Sequence, residues 1–153
     1  MKFIKRFILM IGFMTTITIG SNIEASEEEF GKGLATAPLA GLVIGAILAF
    51  AAWVLGMFLP PAVLAVFLLV LYFLVTGGLH MDGLGDTFDG IFSGRSRERI
   101  LEIMRDSRLG TNALLAVVSV VLLDTALLYS LKEKSLTIIH GDRFFLLVLL
   151  LFP

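Results

Sequence analysis

Three aspartates, Asp82, Asp86 and Asp89, stand at i, i+4 and i+7, the spacing that puts side chains on one face of a helix. Unneutralised carboxylates held that close repel one another, and a bound cation removes the repulsion. Hard oxygen donors suit Mg²⁺, with Mn²⁺ or Ca²⁺ as alternatives. Thiolate ligation is excluded, because the 153-residue chain has no cysteine. An EF-hand is excluded too, since the acids lack its alternating ligand positions and closing Glu. Gly83, Gly85 and Gly90 interrupt the same stretch. Each costs a helix about 1 kcal/mol relative to Ala, and the expected return is backbone clearance for a metal or a phosphate. A solvated acidic loop is the plain alternative. The regular spacing, the glycines and the position at the end of an apolar run favour the metal site.

Arginines follow at 95, 97, 99, 105 and 108. A guanidinium grips phosphate in a two-pronged fork, so acids for a metal and arginines for phosphate together describe a diphosphate site. Arg95, Arg99, Arg105 and Arg108 are the expected substrate contacts, although some arginines in such a loop only anchor it at the membrane surface. Asp106 is a candidate further ligand or base. His80, two residues before the acids, is a candidate general base, since histidine titrates near neutrality. A plain interfacial histidine is the alternative, and His140 has no partner motif.

The elements that must position these groups are membrane helices. Hydrophobic residues make up 58% and charged residues 16% of the chain, against roughly one-half and one-quarter in soluble domains. The excess lies in runs at 36–58, 60–79 and 110–131, each long enough to cross a bilayer. The third carries Asp124, costly in mid-span and a candidate path-lining or pairing group. A further run starts at 143 and stops at 153 inside apolar sequence, so the chain is expected to be C-terminally truncated. The expected fold is all-α, a polytopic transmembrane helical bundle forming a single membrane domain over 1–153 in contact with the lipid bilayer. Pro60-Pro61 predicts a tight hairpin, and Gly41, Gly45 and Ala49 repeat at a spacing that permits close helix contact.

Residues 1–23 are expected to form an interfacial helix; a signal peptide cleaved near Ala25 is the alternative. Glu24 to Glu29 is expected to be a solvated loop. The 80–109 segment is expected to be a polar, catalytic loop with a surface helix starting at Ser96 and ending near Gly110. Its five arginines and the basic N-terminus fall on one side if 1–23 does not span, which places the loop in the cytoplasm of a bacterial cell (inner membrane). The net charge of −1 shows no nucleic-acid footprint. Oligomeric state is left open, a homo-oligomer included.

The run Gly77 to Gly90 (GGLHMDGLGDTFDG), followed by Met104 to Gly110 (MRDSRLG), resembles the signature of the cobalamin synthase family, and Pro38 to Gly45 is similar to that family's first span. Thr16 and Thr18 stand where the family shows an arginine and a proline, and Arg105 where it shows a lysine. The resemblance implies a ribazoletransferase. The hydroxyl of α-ribazole, or of its 5′-phosphate, attacks the phosphate nearest the cobinamide in adenosylcobinamide-GDP, and GMP leaves. It further implies Mg²⁺ on Asp82, Asp86 and Asp89, arginines such as Arg95 and Arg99 on the nonreacting oxygens, and Asp106 or His80 as proton acceptor. A CDP-alcohol phosphatidyltransferase is a rival, but its Ala-Arg pair is missing and Thr87-Phe88 intervenes. A cation transporter using the acids and Asp124 is another.

Overall fold

The computed structural model describes residues 2–19 and 26–137, and among them helices are the only regular secondary structure. Its helices are α1 (Lys2–Met14), α2 (Glu27–Gly33), α3 (Ala37–Leu55), α4 (Pro61–Thr76), α5 (Leu79–Ile91), α6 (Arg97–Ile103) and α7 (Thr111–Thr137). The end of the expected interfacial segment, Ala25, His140 and the run at 143–153 lie outside the described residues.

Helices α3, α4 and α7 occupy the three expected apolar runs and pack as one bundle. Ile44, Leu48 and Ala52 of α3 meet Leu64, Ala65, Leu68 and Leu69 of α4 and Leu128 of α7 in one buried cluster. Gly41 and Gly45 are buried along the same stripe of α3, as their spacing predicts. The outward residues are apolar as well: Val66, Phe67 and Leu74 on α4, and Leu114, Leu115, Leu122 and Leu123 on α7, are exposed. Water would penalise such a surface and lipid does not. The segments Glu27–Leu55 and Thr111–Lys134 are long and apolar enough to cross a membrane. This is a membrane protein.

The α3–α4 hairpin turns at Pro60, as expected, but α3 stops at Leu55 because Phe58 and Leu59 donate their N–H groups back to Leu55 in a turn. The acidic run after residue 24 is helical rather than a loop from Glu27 onward. Ser26 caps it, its hydroxyl accepting from the Glu29 N–H at 3.3 Å, and the Ser26 to Glu29 sequence is a capping-box pattern. Helix α1 lies against α2 and α3, with Met10 and Ile11 buried beside Ala40. Arg6 pairs with Glu29 at 3.1 Å. Thirteen residues span about 20 Å, short of the roughly 30 Å hydrocarbon core.

The feature that matters most for the site is a break. Gly77 and Gly78 both adopt left-handed backbone, with φ of 64° and 74°, and α5 departs from α4 at 88°. Left-handed backbone costs any residue but glycine about 1–2 kcal/mol. Stopping a helix also frees carbonyls, and Thr16 meets them. Its N–H donates to the Val75 carbonyl at 2.7 Å and its hydroxyl to the Leu74 carbonyl at 2.8 Å. The polar stretch expected as a loop therefore begins as a helix, laid across the bundle rather than along it.

A Cβ at Gly78 or at Gly83 would meet nothing within 4 Å, so only backbone conformation separates the two. We expect Gly78→Ala to destabilise the protein by about 1–2 kcal/mol and Gly83→Ala, in the helix interior, to stabilise it by about 0.5–1 kcal/mol. Unfolding midpoints in detergent micelles, moving in opposite directions, are the check.

Candidate active site

Helix α5 carries two faces. Asp82, Asp86 and Asp89 line one, as their spacing predicts, and Leu84, Phe88 and Phe92 form the other. That second ridge, with Phe88 and Phe92 ring centroids 5.2 Å apart, borders an apolar groove with Leu115 and Ala116 of α7. Two of the glycines expected to clear space for a ligand serve packing instead. A Cβ at Gly85 would stand 3.2 Å from the Ala113 Cβ, and one at Gly90 would stand 2.6 Å from the Met104 Cγ. Gly85 thus lets α5 press against α7, and Gly90 lets α6 press against α5. Sequence spacing could not tell these uses apart, because a glycine at a helix crossing and a glycine beside a ligand look alike in a single chain.

The acidic face looks into a cleft of about 300 Å³. Its opposite wall is the link from α6 to α7, where Arg105, Asp106, Ser107, Arg108 and Leu109 all contribute. Asp106 and Arg108 are locked together. The Arg108 Nε donates to both Asp106 carboxylate oxygens, at 3.1 and 3.0 Å, and the Arg108 N–H adds a third bond at 3.1 Å. Those hydrogen bonds hold the Asp106 carboxyl below the ordinary carboxylate range. So the fold brings together Asp82, Asp86, Asp89, Arg105, Asp106 and Arg108, which are separated by up to 26 positions in the chain.

Three other candidates stand apart. His80 does not line the cleft; its Nδ1 lies 3.2 Å from the Tyr72 hydroxyl of α4. Arg99 pairs with Glu102 on the exposed side of α6, and Arg95 sits in the exposed turn before α6, its backbone N–H donating to the Ser93 hydroxyl at 3.3 Å. The surface helix does start after Ser96, but it ends at Ile103. Gly110, expected at its end, belongs to the approach of α7.

Asp89 has a partner that its spacing does not announce. One carboxylate oxygen accepts the Gly110 N–H at 2.6 Å and the other the Ala113 N–H at 2.9 Å, which caps the start of α7 from a neighbouring helix. Among the described residues, no group of three or more His, Cys, Asp or Glu side chains is placed to hold a metal ion by itself. The donor set nonetheless fits Mg²⁺. That ion is ordinarily held by one or two carboxylates together with phosphate oxygens and water, and Asp82 and Asp86 offer hard oxygens on the cleft wall.

The Asp106–Arg108 contact has a testable pH signature. Because the pair favours the charged carboxylate, it is intact above the ordinary aspartate range and is lost only as pH falls through the depressed value. We expect Arg108→Ala to raise the titration midpoint of Asp106 towards the ordinary range, read by carboxyl ¹³C chemical shifts. An unchanged midpoint would contradict the pairing.

Comparison with known proteins identifies the family. The family model for cobalamin-5-phosphate synthase matches residues 6–152. The chain is 56% identical over 136 residues to an adenosylcobinamide-GDP ribazoletransferase of Acetivibrio thermocellus, covering 89% of this chain and 55% of that protein. It is 52% identical over 128 residues to the Clostridium acetobutylicum protein of the same name, covering 84% and 51%. For the Clostridioides difficile counterpart the identity is 44% over 131 residues, with 86% and 51% covered. The chain therefore spans about half the length of the curated relatives it matches. No solved structure matches it. The family match runs from within α1 past the end of α7, taking in both walls of the cleft, and on that ground the chain belongs to the cobalamin-5-phosphate synthase family.

Proposed function

We propose that the cleft is the diphosphate-binding part of an adenosylcobinamide-GDP ribazoletransferase that joins α-ribazole, or its 5′-phosphate, to the activated cobinamide with release of GMP. One observation carries the reading: Asp82 and Asp86 on α5 face Arg105 and Arg108 across a single cleft. Carboxylates alone suit a cation and arginines alone suit an anion. Facing each other, they suit a metal-complexed diphosphate. The names of the relatives support the same substrate.

Asp82 and Asp86 are the residues that would hold Mg²⁺ in this reading. When bound, the ion supplies neutralisation of the diphosphate and of the charge that develops on departing GMP. Arg105 and Arg108 fix the nonreacting phosphate oxygens and align the phosphorus nearest the cobinamide with the incoming hydroxyl. The P–O bond to the ribazole oxygen forms as the bridging P–O bond to GMP breaks. Of the two candidate proton acceptors, Asp106 shares the cleft and His80 does not, so Asp106 takes the hydroxyl proton. Its depressed pKa makes it a weak base while Arg108 holds it. The five arginines between residues 95 and 108 favour the cytoplasmic face of a bacterial inner membrane for this site.

The test is GMP release from adenosylcobinamide-GDP and α-ribazole by the intact protein in membranes. We expect release to require Mg²⁺, and Asp82→Asn or Asp86→Asn to lower it by about 100-fold or more while membrane insertion is retained. Equal turnover in the parent and in both variants would overturn the assignment.

A further inference from the structure

Asp89 differs from the other two α5 acids in what it touches. Each of its carboxylate oxygens already accepts a backbone N–H at the start of α7, from Gly110 and from Ala113. The fit is close: a Cβ at residue 110 would lie 2.6 Å from the Asp89 Cγ, so the contact exists because residue 110 has no side chain. One turn earlier on α5, Gly85 packs on Ala113. Helix α5 therefore meets the beginning of α7 at two points, one apolar and one charge-assisted. The N–H groups at a helix start carry partial positive charge, which favours a carboxylate there and competes with any cation for it.

The two ends of this contact adjoin the two walls of the cleft. Asp86 lies three residues before Asp89, and Arg108 two residues before Gly110. A shift of Asp89 against Gly110 changes the separation of the carboxylates from the arginines by a similar amount. We propose that Asp89 is a positioning residue for the reaction: by capping α7 from α5 it sets the distance between the metal-holding acids and the phosphate-holding arginines, and it is not itself a metal ligand. This rests on the reading of the cleft as a diphosphate site.

The absence of cysteine permits a clean test. The Cβ positions of a Gly85→Cys/Ala113→Cys pair lie 3.2 Å apart, a little short of the roughly 3.5–4.5 Å of a disulfide, so a small separation of the helices admits the bond. Its rate of closure under mild oxidation reports how firmly α5 is held on α7. We expect Asp89→Asn to slow closure about five-fold; an unchanged rate would overturn the proposal. The second readout is Mn²⁺ affinity of the intact protein, followed by the electron paramagnetic resonance of the free ion. Asp89→Asn should weaken binding about ten-fold, and closing the Gly85–Ala113 disulfide should restore most of it. A loss that persists with the disulfide closed would identify Asp89 as a ligand and sink the proposal. Gly110→Ala removes no acid from the cleft yet crowds the Asp89 carboxylate, so it should weaken Mn²⁺ binding as Asp89→Asn does; unchanged affinity there counts against positioning. If the parent protein binds no Mn²⁺ even with adenosylcobinamide-GDP present, the diphosphate reading fails, and the closure rate alone decides whether Asp89 holds the helices.

Discussion

A helix interrupted in apolar surroundings must find partners for the backbone groups it frees, and the rest of this structure depends on how the break between α4 and α5 meets that demand. Gly77 and Gly78 supply the left-handed backbone that the 88° turn requires. Thr16, from the segment after α1, supplies hydrogen bonds to the Leu74 and Val75 carbonyls. The Thr76 hydroxyl accepts the Gly78 N–H at 3.3 Å. With these demands met, the chain can lay a polar helix across the end of an apolar bundle. Without the turn, the α5 acids would continue the line of a lipid-facing helix, where unpaired charge is costly.

The crossing gives α5 its division of labour. Its apolar ridge, Leu84, Phe88 and Phe92, faces α7, while its carboxylates face the link that carries Arg105 and Arg108. Small residues at the crossings, Gly85 against Ala113 and Gly90 against Met104, bring the backbones close enough for this to be one cleft. The cleft is built mainly from a helix that bends away from the bundle and a link that returns to it. The candidate site's groups are thereby carried by two short segments, one packed on α7 and the other leading into it.

Much of this was legible in the chain. The apolar runs showed the three bundle helices, because a bilayer demands long uncharged segments. The period of Asp82, Asp86 and Asp89 showed one helical face, and the paired motifs showed the family. What was not legible came from contacts between distant residues. Nothing local marks Thr16 as the partner of α4's last carbonyls, or Asp89 as the cap of α7, since those partners lie 58 or more and 21 or more positions away. For His80 and Arg99 the partners are local instead, at eight and three positions. Their types suited the chemistry, but the direction of α5 and α6 points one at Tyr72 and the other at Glu102. Ser26 is a local signal of another kind, since the capping-box pattern it opens marks a helix within an acidic run that by charge alone reads as solvated loop.

The central claim is that a metal-complexed diphosphate occupies the space between the α5 carboxylates and the Arg105–Arg108 link. A structure of the intact protein in a lipid nanodisc, with Mg²⁺ and adenosylcobinamide-GDP, tests it most directly. We expect cation density against the Asp82 and Asp86 oxygens, phosphate against Arg105 and Arg108, and α5 still turned sharply from α4. A cation bound elsewhere, or the diphosphate seated outside this cleft, would contradict it.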